Sequence, residues 1–89
     1  MPYITQSDRN KYDDEIANLC DKLEAEKYAS GHVTYVLYKI IIRWWLHKPC
    51  YNTIALIRGC LTGTVTEFDR CVAEPYENYK LKENGDVNE

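Results

Sequence analysis

The chain has 89 residues, of which 45% are hydrophobic, with two Trp, eight Tyr and a formal charge of −3. A chain of this length is one domain that buries only about 60–65% of its unfolded surface when it folds alone, and so much aromatic bulk is more than a few helices easily hide, which points to self-association. The acidic balance excludes a strong non-specific nucleic-acid binder, and the longest apolar run, broken by Lys39 and Arg43, falls short of the roughly 18–20 residues of a membrane span.

The charge is unevenly placed. Residues 1–30 carry four Lys or Arg against seven Asp or Glu, residues 31–60 carry four against none, and residues 61–89 carry three against seven. An apolar, basic block is therefore flanked by two acidic ends. Residues 1–5 have neither the basic nor the apolar part of a secretory signal. Cys20, Cys50, Cys60 and Cys71 form no C-x-x-C pair, so reduced core cysteines in a cytoplasmic protein are expected.

The first expected element is an amphipathic helix from about Asp8 to Lys27. Ser7 is its expected N-cap, Tyr12, Ile16, Leu19 and Leu23 repeat on one face, and Ser30-Gly31 is expected to close it. The next segment, Gly31 to His47, is apolar or aromatic from Val33 to Leu46 except at Thr34, Lys39 and Arg43. Its periodicity fits a helix or a strand equally well, since Lys39, Arg43 and His47 are four apart. Valine, isoleucine and aromatics favour a strand, yet about fourteen residues far exceed the usual five or six. Length decides for a helix, ended before Pro49.

A third helix is expected to begin after Tyr51-Asn52, with Asn52 as the cap, and to run through Ile54, Ile57, Leu61, Val65, Phe68 and Val72 to Glu74. On it Ala55, Gly59 and Gly63 are four apart, a side almost without bulk where a neighbouring helix can approach. Pro75 kinks this helix or opens a short last one carrying Tyr76, Tyr79 and Leu81, stopped by Asn84-Gly85. The expected architecture is all-α: three main helices plus a short C-terminal helix, in helical-hairpin packing and oligomeric. Residues 1–85 form a single helical domain and residues 86–89 a frayed tail.

Pro2-Tyr3-Ile4, Gly31, Tyr35-Val36, Gly59, Leu61, Glu67-Phe68, Arg70, Pro75-Tyr76-Glu77, Lys80 and Asn84-Gly85-Asp86-Val87 together form a pattern spanning nearly the whole chain. In it the chain resembles a family of small proteins of unknown function found largely in bacteriophages. It departs from that family at Thr34, Ala55-Leu56, Asp69 and Cys71. The resemblance implies a phage accessory protein acting in the infected cell, singles out Glu67, Arg70, Tyr76, Glu77 and Lys80 as a shared site, and names no reaction.

Chemical signatures are sparse. His47 and Cys50 have metal-like spacing, but Cys60 and Cys71 lie about 16 Å apart on a continuous helix and cannot share an ion. No metal or cofactor is expected. Cys50 with His47 also makes a thiol and base that nothing orients, and no nucleophile elbow or phosphate loop occurs. Glu67, Arg70, Glu74 and Glu77 read as an acid–base group or as ordinary surface pairs worth a few tenths of a kcal/mol each. The strongest binding candidate is the stripe Tyr35, Lys39, Arg43 and His47, joined by Arg58, with His32 and Lys48 nearby, which suits a phosphate-bearing ligand through forked Arg contacts and aromatic stacking. The alternative is that these cations pair with the acidic end helices, within a protomer or across an interface.

The resulting expectation is a non-enzymatic phage protein that, as a homo-oligomer, binds a host protein or sequesters a small anionic, nucleotide-like ligand. Nucleic-acid binding through the basic stripe is the first rival. A small hydrolase or transferase using Glu67 and Arg70 is the second.

Overall fold

The computed structural model describes residues 4–85, so the expected tail at residues 86–89 lies outside the described residues. The described chain forms two compact units, residues 4–49 and residues 50–85. Every regular element among the described residues is helical, in agreement with the all-α expectation.

The first unit opens with a single short turn, α1 (Gln6–Arg9), before α2 (Asp13–Ala25). The uninterrupted helix expected from Asp8 is thus broken at residues 10–12. The cap is Thr5 rather than Ser7: its hydroxyl accepts the Asp8 N–H at 3.2 Å. The Asn10 amide oxygen accepts from Gln6 Nε2 at 2.9 Å, a bond four residues apart that braces the short turn. Restarting the helix also places Asp13, Asp14 and Glu15 in its first turn, where the dipole favours negative charge. Of the face read from the spacing, Leu19 and Leu23 are half-buried, whereas Tyr12 and Ile16 stay more than half exposed.

Ser30-Gly31 does not end α2. The helix closes earlier, in a Schellman turn: Tyr28 N–H donates to Leu23 O at 2.9 Å and Lys27 N–H to Glu24 O at 2.8 Å. Lys27 and Tyr28 take φ of 55° and 52°, the left-handed region in which a side chain crowds the backbone. Ser30 and Gly31 instead begin α3 (Ser30–His47). The central block is therefore a helix, as its length required. It stops at Lys48, whose extended backbone (φ −154°, ψ 84°) is what Pro49 imposes on its predecessor.

The second unit starts with α4 (Tyr51–Phe68), capped by Cys50 rather than Asn52. Its regular winding ends at Phe68, short of the expected Glu74. Asp69–Ala73 forms a π-helical turn in which Glu74 N–H reaches back to Asp69 O, and α5 (Glu74–Asn84) follows directly. Pro75 explains the widening: it has no N–H to give, and its ring presses on the carbonyl four residues earlier, so an i→i+5 turn relieves the clash without breaking the axis. Gly85 ends α5 at φ 82°, its N–H on Leu81 O at 2.8 Å, as the Asn-Gly pair foretold.

Little is buried. Among the described residues only Thr53 and Ile57 fall below a tenth of their full exposure, at 5% and 8%. Leu46 is 66% exposed and Tyr51 91%. A Cβ added at Gly59 meets no atom within 4 Å, so the expected close approach on the small-residue side of α4 is not made there within the chain.

The Schellman turn makes a direct prediction. Lys27→Gly removes the left-handed penalty and should raise the unfolding free energy by about 0.5–1 kcal/mol after the extra flexibility of glycine is subtracted, read as a higher urea midpoint at constant m-value.

Candidate binding surfaces

The basic stripe lies on α3, and its winding decides how much of it can act together. Residues four apart on an α-helix advance by about 400°, so each successive member is displaced by about 40° as well as raised by about 6 Å. Tyr35 and His47 are consequently about 18 Å apart along the axis and about 120° apart around it. One small ligand cannot touch both. Tyr35 and Lys39 do form a pair, with the Lys39 Nζ 5.9 Å from the Tyr35 ring centroid. Arg43 is exposed one turn further on, His47 ends the helix, and Arg58 stands on α4 in the other unit.

Tyr35 also lines a groove of about 500 Å³ between α2 and α3, inside the first unit. Leu19, Leu23 and Val36 give it an apolar floor, while Lys22, Glu26 and His32 supply its polar groups. Lys22 and Glu26 were not singled out by the sequence, because neither belongs to the apolar repeat of Tyr12, Ile16, Leu19 and Leu23. Only the Schellman turn, which brings the end of α2 and the start of α3 to one corner, shows that they share a wall with Tyr35. The volume is that of a small-molecule site, and the open side leaves Lys39 at its margin. Tyr28, on the turn itself, has its phenol pushed up from the usual range by desolvation and then by Cys20, Glu24 and Asp21.

The second expected group does not assemble as one site. The Glu67 carboxylate takes an ion pair from Arg70 and a hydrogen bond from the Cys71 thiol at 2.9 Å. Glu67 is largely covered, at 17% side-chain exposure, while Arg70 is 65% exposed. The π turn then rotates everything beyond it relative to a continuous α-helix, so Glu74 and Glu77 leave the line that helical spacing assigned them. Among the described residues Glu74 makes no ion pair, unlike Glu67. Tyr76, Glu77 and Lys80 line a separate, shallower hollow of about 430 Å³ on α5. There Lys80 Nζ lies 5.8 Å from the Tyr76 centroid and 5.9 Å from that of Tyr79, and 3.5 Å from Glu83 Oε2.

The N-terminus of α4 carries a pair that the sequence had not singled out. Cys50 and Thr53 stand at the cap and three residues on, the separation of a reciprocal cap, and Cys50 Sγ lies 3.3 Å from Thr53 Oγ1. The thiol is held below its usual range by the Thr53 hydroxyl first, then by the backbone N–H groups of Thr53 and Asn52, against partial desolvation. Among the described residues no three His, Cys, Asp or Glu side chains gather to hold a metal ion, and no helix is long and apolar enough to cross a membrane.

These features define a small all-α protein with two open hollows on its described surface. The family model described as a domain of unknown function, DUF6899, matches residues 1–87, and the chain belongs to that family. No curated protein and no solved structure matches the chain.

Cys50 should be the first of the four thiols to alkylate at neutral pH in iodoacetamide labelling followed by peptide mapping, and Thr53→Val should slow it severalfold by removing the leading donor. Because its folded pKa is lowered, the stability that the cap draws from the thiolate is present above the unfolded thiol pKa and is lost as pH falls through the folded value.

Proposed function

We propose that this chain is a non-enzymatic bacteriophage accessory protein of the host cytoplasm that sequesters a small anionic, nucleotide-like ligand as a homo-oligomer. The observation that carries the reading is the α2–α3 groove, in which the Tyr35 ring, Lys22 and His32 stand over an apolar floor, with the Lys39 ammonium 5.9 Å from the centroid of that ring. A base stacks on the ring and its phosphate meets the ammonium groups, while Glu26 is left for a hydroxyl or amino donor of the ligand. Arg43 and His47 extend the positive field towards the end of α3 and steer an anion rather than hold it. In this reading α2 and α3 pack as a helical hairpin, and copies associate through α3 and the small-residue side of α4.

The apolar side chains exposed along α3 and α4 support an assembly over an isolated protomer. Resemblance to phage sequences supports the biological setting. A host protein is the alternative occupant of the same exposed faces.

Calorimetric titration of the purified protein with a panel of mono- and dinucleotides should give saturable binding. Lys39→Gln should weaken it about tenfold, or about 1.4 kcal/mol, and Tyr35→Ala at least as much, with unchanged circular dichroism. No nucleotide binding by the wild type, together with stoichiometric capture of a host protein from lysate, would overturn sequestration in favour of a protein partner.

A further inference from the structure

We propose that the exposed stripe Leu61, Val65 and Phe68 on α4 seats a second copy of this chain, paired antiparallel about a two-fold axis, with Arg58 of each copy against Asp69 of the other. The proposal rests on the homo-oligomer reading and adds to it an interface on the face of α4 opposite Ala55, Gly59 and Gly63, with an orientation.

Spacings of four and three place Leu61, Val65 and Phe68 on one face of α4, the pattern of a helix-pairing seam. They are 44%, 60% and 58% exposed, whereas Ile57, one turn before Leu61, is buried. The seam is therefore uncovered from its middle onward. Arg58 and Asp69 are three turns apart, since eleven residues at about 100° each return almost to the starting angle. Both fall to the same side of the seam. Asp69 retains helical backbone (φ −60°, ψ −47°), so this phase holds to the end of the stripe. Neither residue makes an ion pair among the described residues.

Orientation follows from sign. A parallel pair sets Arg58 of the two copies at one height but on opposite flanks of the seam, and Asp69 likewise, so neither charge meets its opposite. An antiparallel pair brings same-side flanks together head to tail, so each Arg58 meets an Asp69, twice by symmetry. The helix dipoles are then also opposed, which is the favourable arrangement. The register follows from size: seating Leu61 against Val65 of the second copy puts Phe68 beside Arg58 of that copy, whose guanidinium can lie on the ring and still reach the neighbouring Asp69.

Analytical ultracentrifugation of the full chain, with circular dichroism as the folding control, tests the pairing. Wild type should sediment as an even-numbered assembly, and Val65→Asp, at a site 60% exposed in the protomer, should raise its dissociation constant by about 100-fold or more. Arg58→Glu and Asp69→Arg should each weaken it about tenfold, and the double variant R58E/D69R should return to within about threefold of wild type. A folded wild-type monomer at high concentration overturns both this pairing and the homo-oligomer reading. An assembly indifferent to Val65→Asp overturns the seam and leaves that reading standing. A seam-dependent assembly without rescue in the double variant overturns the antiparallel orientation.

Discussion

Everything in this protein follows from one shortage: there is too little chain to cover α3. An 18-residue helix that is apolar or aromatic around most of its circumference needs neighbours on nearly every side, and the remaining residues supply few. Val33, Val36, Trp44 and Trp45 are only half-covered, and Tyr35, Tyr38, Ile40 and Leu46 face water. A fully buried side chain of this kind contributes about 1.5–3 kcal/mol, so each uncovered one is a contribution still available to association. The same shortage makes the groove beside α2 open rather than enclosed, and leaves the α4 seam bare.

The helical class and the main α3 and α4 spans were legible because length and period are collective properties, spread over a dozen residues and tolerant of any one of them. The boundaries were not. Thr5 caps α1 where Ser7 seemed the better residue, and Cys50 caps α4 ahead of Asn52, because capping depends on which side chain reaches an N–H, a matter of one turn's geometry. The end of α2 was misplaced for a related reason: glycine marks the left-handed position so often that Gly31 drew the assignment, while Lys27 and Tyr28 took it up at a cost met by the two bonds of the Schellman turn.

The candidate sites divide along the same line. A stripe of residues four apart looks continuous in the sequence, yet on a real helix it winds away from itself, so Tyr35 and Lys39 act together while His47 does not. The partners that complete the groove, Lys22 and Glu26, belong to another element and carry no local mark of it. Glu67, Arg70, Glu74 and Glu77 kept an α-helical line on paper that the π turn undoes. Pro75 gave notice of a disturbance there, but whether proline kinks a helix, stops it or widens it is decided by how the preceding carbonyls find new donors.

The π turn has one more consequence, for how this chain tolerates change in length. Asp69–Ala73 holds one residue more than an α-helix of the same rise would need, and that surplus acts as a phase shifter between α4 and α5. Losing a single residue there would let the helix revert to ordinary winding with the Tyr76–Tyr79–Lys80 face pointing as before, because four α-helical residues turn about as far as five π-helical ones, roughly 400°. Reverting to ordinary winding without that loss would instead swing the face by about a quarter of a revolution, so the five residues after Phe68 set its direction.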